Sequence, residues 1–146
     1  MIAPEDFLAL AELEIQNTTE AEWRTAVSRA YYAAFHKARK LFLALGFGPP
    51  KGDQAHAYVW LRLLNCGNQQ VQLAGSNLNS LRRYRNQADY DVDQNLSQAN
   101  ARMQVLEARQ IIQILTAAAT DPVRTQIMDT MKIYERDVLR QITWKP

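Results

Sequence analysis

Residues 20–45, EAEWRTAVSRAYYAAFHKARKLFLAL, decide the fold. No Gly or Pro interrupts the stretch, and Ala, Leu, Lys, Arg and Glu, all good helix formers, make up most of it. Trp23, Ala26, Val27, Ala30, Tyr31, Ala34, Ala38, Leu41 and Leu45 recur at intervals of three and four, the spacing of one buried helical face. At about 100° per residue, Ser28, Tyr32, Phe35, His36 and Arg39 fall on another side and form a second, partly aromatic face. A helix with two such faces is central, or lies between a core and a partner.

Working outward, turn residues divide the rest of the chain into helices. Before the long helix, a first one is expected over about Pro4–Gln16, with Pro in its first turn and acids where the helix dipole favours them. Asn17-Thr18-Thr19-Glu20 offers a cap and a restart. After the long helix, GFGPPKGD (46–53) breaks the chain and ends in Asp53, a candidate cap for a third helix over about Gln54–Leu64. Asn65–Asn68 is a turn, followed by a fourth helix to about Tyr90 starting near Gln70. Ser97 caps a fifth, about Gln98–Ala119, and Asp121-Pro122 opens a sixth over about Val123–Ile142.

Composition agrees. The 146 residues hold 20 Ala and 16 Leu against 7 Val and 8 Ile, which favours helix over strand. The length suits one core, so one domain over residues 1–146 is expected. The expectation is an all-α, up-and-down bundle of four core helices with one or two accessory ones. Cys66 is the only cysteine, so no internal disulfide or Cys/His zinc site is expected. No apolar run approaches the roughly 18 residues of a membrane span, and the N-terminal residues carry acids where a signal peptide needs bases. A cytoplasmic protein with no membrane partner follows as the expectation.

Net charge is only +2, but it is unevenly spread. Residues 1–22 carry six acids and no base, residues 23–88 ten bases against Asp53 alone, and the remainder seven bases and eight acids. The basic middle is either a solvated surface offset by the acidic first helix or a site for a polyanion.

The fourth helix carries the anomaly. Its apolar stripe, Val71, Ala74, Leu78 and Leu81, runs into Arg82, Arg85 and Asp89 on the same face. An unpaired buried guanidinium costs several kcal/mol, so these groups either pair at a bundle end or face a wet crevice. Two arginines beside a carboxylate also suit a phosphate.

SRAYYAAFHKARKLF (28–42) together with LNSLRRYRNQADYD (78–91) resembles the HEPN domain, a helical bundle named for nucleotide binding in higher eukaryotes and prokaryotes. The resemblance covers most of the chain. It implies a homodimer, often encoded beside a small nucleotidyltransferase as a toxin and antitoxin pair. In active members an Arg, the polar residue after it and a His about a turn later form a metal-independent ribonuclease site across the dimer interface. Arg85 and Asn86 match the first two positions, and Tyr90 stands where the histidine belongs. Tyrosine, with an ordinary pKa near 10, is a poor general base at neutral pH. The chain also resembles a bacterial group sharing the RN-x-AD-Y pattern, so it reads as a branch that binds more than it cuts.

His36 lies seven residues from Arg29 on one face of the long helix, and a histidine amid Tyr31, Tyr32 and Phe35 reads as a core residue before a catalyst. His56 follows the Gly/Pro loop and is the weaker candidate. The candidate catalytic residues are therefore Arg85, Asn86 and Tyr90, and the candidate ligand-binding residues Arg82, Asp89 and His36. No metal and no cofactor are expected. The expected function is binding of RNA or a nucleotide, with ribonuclease activity weakened or lost. The alternative is a non-catalytic dimeric module that holds a nucleotidyltransferase partner and uses the Arg85–Asp89 face as a dimer lock. Non-specific binding of nucleic acid by the basic middle, Lys37, Arg39 and Lys40 included, is a third reading.

Overall fold

A computed structural model describes residues 1–145. The chain is all-α. The helices are α1 (Pro4–Glu14), α2 (Glu20–Leu45), α3 (Gln54–Leu64), α4 (Gln69–Tyr90), α5 (Gln98–Ala118) and α6 (Val123–Ile133), and a π-helical stretch follows at Tyr134–Leu139. No strand occurs among the described residues, and none of their helices is long and apolar enough to cross a membrane. The backbone groups into two compact units, residues 1–37 with 77–112 and residues 38–76 with 113–145.

In the first unit, the early part of α2 buries Ala26, Val27, Ala30, Tyr31, Ala34 and Phe35, so part of the expected second face, Phe35 and Ser28, is also core. Leu8, Ala11 and Ile15 of α1, Leu78, Leu81 and Ala88 of α4, and Ala101, Val105, Ala108 and Ile111 of α5 complete that core. The first helix stops at Glu14, two residues early. Beyond it the bonds tighten to a three-residue reach, Gln16 N to Leu13 O and Asn17 N to Glu14 O. The freed carbonyls serve side chains: Gln98 Nε2 donates to Ile15 O at 2.9 Å and Trp23 Nε1 to Asn17 O at 2.8 Å. Thr19 Oγ1 accepts from Glu22 N, and Ser97 Oγ from Asn100 N, so α2 and α5 start on side-chain caps.

In the second unit, Phe42 packs edge-on to both Phe47 and Tyr58 at centroid distances of 5.9 and 5.8 Å. Burial of a ring of that size contributes about 2–3 kcal/mol. Asn68 Oδ1 caps α4 by accepting from Val71 N, and Asp121 Oδ1 accepts from Thr125 N before α6. The Asp53 side chain makes no capping bond, contrary to expectation. The sixth helix also departs from expectation. It ends at Ile133, and the π-helical stretch after it contains Glu135, which is wholly buried. Glu135 accepts from Arg62 Nε (2.8 Å), Thr143 N (2.8 Å), Thr143 Oγ1 (2.6 Å) and Trp144 N (3.1 Å). That many donors on one carboxylate favour a backbone that turns back on itself over an uninterrupted helix. Trp144 docks through Nε1 on Leu45 O at 3.0 Å, with Lys132 Nζ 3.5 Å from its ring.

Candidate functional site

The site lies in the first unit, where the last turns of α4 meet the early part of α2. Leu78 and Leu81 are buried, and the same face of α4 then presents Arg82, Arg85 and Asp89. The Arg85 side chain is 11% exposed, and its Nη1 stands 3.8 Å from Asp89 Oδ2 one turn on. Such a spacing is a loose ion pair. Its guanidinium carbon lies 5.3 Å from the Tyr31 ring centre and 5.4 Å from that of Tyr32. A cation over an aromatic ring contributes about 0.5–2 kcal/mol, more than an i,i+4 pair of about 0.3–0.5 kcal/mol, so the tyrosines hold this arginine more firmly than Asp89 does.

Asp89 is shared. Ser28 Oγ, on a residue only 6% exposed, donates to Asp89 Oδ2 at 3.2 Å, and Arg29 Nη2 donates to Ser28 Oγ at 3.4 Å. The Arg29 guanidinium sits 5.2 Å from the Tyr32 ring centre and 5.6 Å from that of Phe7. Arg82 Nη2 donates to Asn79 Oδ1 at 3.3 Å. The Nε atoms of both Arg82 and Arg85 are buried without a hydrogen-bond partner. Arg85 directly and Arg29 through Ser28 converge on the one Asp89 carboxylate, with Arg82 two turns earlier on the same face of α4, and the cluster carries an excess positive charge suited to an oxyanion. Burial pushes the Tyr31 hydroxyl well above its ordinary pKa, against the opposing pull of the Arg85 and Arg82 charges, so Tyr31 stays protonated and serves no base role.

The other predicted site residues are placed as follows. His36 stacks between Phe7 (5.6 Å) and Tyr32 (6.1 Å), which sets it in the aromatic cluster next to Arg29. Asn86 is half-buried on α4, about 100° around the helix from Arg85. Tyr90, the last residue of α4, is 73% exposed and points about 140° away from the Arg85 direction. No hydrogen bond, ion pair or ring contact joins it to Arg85 among the described residues. His56 belongs to the second unit.

Residues 4–118 match the family model of the HEPN domain. The chain belongs to the HEPN family. Comparison with the curated proteins and with the solved structures gives no match. Within this HEPN chain the RN-x-AD-Y segment is the C-terminal end of α4, and SRAYYAAFHKARKLF supplies Ser28, Arg29, Tyr31, Tyr32 and His36 from α2. The two segments therefore meet at one place in the first unit.

Sequence reasoning missed Ser28 as the donor to Asp89 and Phe7 as part of the aromatic cluster. Ser28 stands four residues before Tyr32, one turn away on the same side of α2, and that spacing was the available signal. The basic middle is also less available than its number of bases suggests. Arg24 and Arg62 are tied to carboxylates and carbonyls, and Lys37 pairs with Glu5 at 2.7 Å. Among the described residues no three His, Cys, Asp or Glu side chains gather in a metal-binding group.

Proposed function

We propose that this HEPN protein binds the phosphate of RNA or of a nucleotide at the Arg29–Arg82–Arg85 cluster, as a toxin-like member whose ribonuclease activity is weakened or lost. The observation that carries the reading is the charge imbalance around Asp89, with Arg85 loosely paired and the Nε atoms of Arg82 and Arg85 buried without partners. A phosphate oxygen would receive two guanidinium groups, and Asn86 and Tyr90 would add polar contacts at the rim. If RNA is cut, the 2′-hydroxyl attacks the adjacent phosphorus, the 5′-oxygen leaves, and Arg85 stabilises the charge gathering on the phosphorane oxygens. Tyr90 and His36 would move the protons slowly, since Tyr90 is an exposed phenol at the end of α4 and His36 is stacked against the Phe7 and Tyr32 rings.

Family membership further supports a homodimer paired with a nucleotidyltransferase antitoxin; residues 1–146 are proposed as one domain, of which the family match covers residues 4–118. The burial of Arg85, 11% exposed, favours a second reading in which the Arg85–Asp89 face locks subunits or holds that partner. Titration of a labelled RNA oligonucleotide at low salt tests the choice. Arg85→Ala weakens binding strongly if the cluster is a phosphate site. Unchanged affinity, or dissociation of a dimer that never bound RNA, overturns it.

A further inference from the structure

Arg24 belongs to the basic middle by position, yet its side chain is 14% exposed and every guanidinium nitrogen is engaged. Nε and Nη2 donate to Glu20 Oε1 at 3.0 and 2.9 Å. Nη1 donates to Gln87 O (3.2 Å), Ala88 O (2.9 Å) and Asp91 O (3.3 Å), and Nη2 also donates to Gln94 O. Gln87 and Ala88 are among the last four residues of α4; the Gln87 carbonyl also accepts from Asp91 N at 2.9 Å, and a cation there meets the negative end of the helix dipole. Glu20 closes the far side by accepting from Leu96 N at 3.1 Å.

This clamp matters because the segment has little else to order it. Asp91, Val92, Asp93, Gln94 and Asn95 are all exposed, so apolar burial contributes little. Glu20, Arg24, Ser28 and Tyr32 form a run at four-residue spacing along α2. Along it, Arg24 grips the carbonyls around Ala88, Ser28 reaches Asp89, and Tyr32 lies beneath Arg85. The position of the α4 end against Arg24 thereby sets whether Ser28 meets Asp89 and whether Arg85 sits over its tyrosines.

We propose that Arg24 is the positioning residue of the anion site, fixing the last turn of α4 so that Asp89 and Arg85 hold their places. The proposal rests on the phosphate-binding reading for its functional consequence. Arg24 itself does not touch the ligand.

Arg24→Gln and the milder Arg24→Lys are compared with the parent chain by three measurements: affinity for a labelled RNA oligonucleotide, the resonances of Arg85 Nε–H and the Asp89 carboxyl group, and amide exchange over residues 88–96. We expect Arg24→Gln to weaken RNA binding about tenfold, shift both resonances and speed exchange, with Arg24→Lys in between because an ammonium still caps some of the carbonyls. Faster exchange with unchanged affinity and unmoved resonances overturns the proposal and leaves a local structural cap. If the parent chain binds no RNA, the phosphate reading fails separately, and the resonances alone decide whether Arg24 positions the cluster. Should Arg24→Gln not fold, Arg24→Lys and Glu20→Ala, which frees Leu96 N, are read by the same criteria.

Discussion

Arg62 Nε donates to Glu135 Oε2 at 2.8 Å, and the two side chains are 4% and 0% exposed. The guanidinium also lies against the Tyr58 ring, 3.5 Å from its centre. Removing one partner of a buried pair strands the other charge, and this costs more than the pair contributes. Arg62→Ala is expected to destabilise the protein by about 3–5 kcal/mol, read from urea unfolding. A loss below about 1 kcal/mol would mean that Glu135 is satisfied by its other donors.

Acid should act through the same carboxylate. Burial pushes the Glu135 carboxyl group upward, but the hydrogen bonds from Thr143, Arg62 and Trp144 outweigh it and hold the group below the ordinary value of 4.5. A depressed carboxyl contributes stability in full above 4.5 and loses it as pH falls through the folded-state value. Protonation weakens the anchoring of Thr143 and Trp144. Indole fluorescence of Trp144, followed in a chain with Trp23 and Trp60 replaced by Phe, is expected to stay constant from pH 7 down to 4.5 and to change only below it. A transition near neutrality would contradict this.

Phosphate binding by three arginines has a salt signature. Taking away one arginine that neutralises a phosphate lowers the slope of log affinity against log salt by about one. Arg85→Ala is expected to have that effect and to weaken binding strongly, whereas Arg39→Ala or Lys40→Ala changes affinity less than about threefold. Equal losses from all of them would assign binding to the basic middle as a whole.

Tyr90→His tests the lost catalysis. The parent chain should cleave single-stranded RNA slowly or not at all in chelator, and the histidine variant at least about tenfold faster, since imidazole titrates near neutrality and phenol does not. No gain would mean that the exposed end of α4 does not bring residue 90 to the reacting phosphate.

Close packing in the second unit is most exposed to change at Gly75. A Cβ placed there would come within 2.6 Å of Leu63 Cβ and 3.1 Å of Leu64 N, so the approach of α3 to α4 requires the missing side chain. Gly75→Val is expected to lower stability by about 2–3 kcal/mol, or to prevent folding. Unchanged thermal unfolding would show that the helices separate freely.

The helices were legible because their signals are local. The long helix runs over Glu20–Leu45 and the third over Gln54–Leu64, as the spacing of apolar residues and the Gly/Pro breaks indicate. Arg82, Arg85 and Asp89 were legible as a charged continuation of an apolar stripe. The Arg62–Glu135 pair was not, because its members stand 73 positions apart and each reads alone as a surface charge. A hint existed: Arg62 shares one face of α3 with Ala55, Tyr58, Val59 and Leu63. The end of the sixth helix was missed for the same reason, since Glu135 is drawn inward by donors from other segments. Arg24 reads as free charge in the sequence because carbonyl acceptors leave no trace in composition.

The commitment of Arg24, Arg62 and Lys37 to internal partners changes how this protein should behave on a column. Its sequence pI of about 8.8 suggests firm retention on a cation exchanger, yet three of the ten bases in residues 23–88 are already answered within the chain. Elution at lower ionic strength than the titration curve implies, and later elution after acid or denaturant loosens those pairs, would be the bench-side trace of charge spent on architecture.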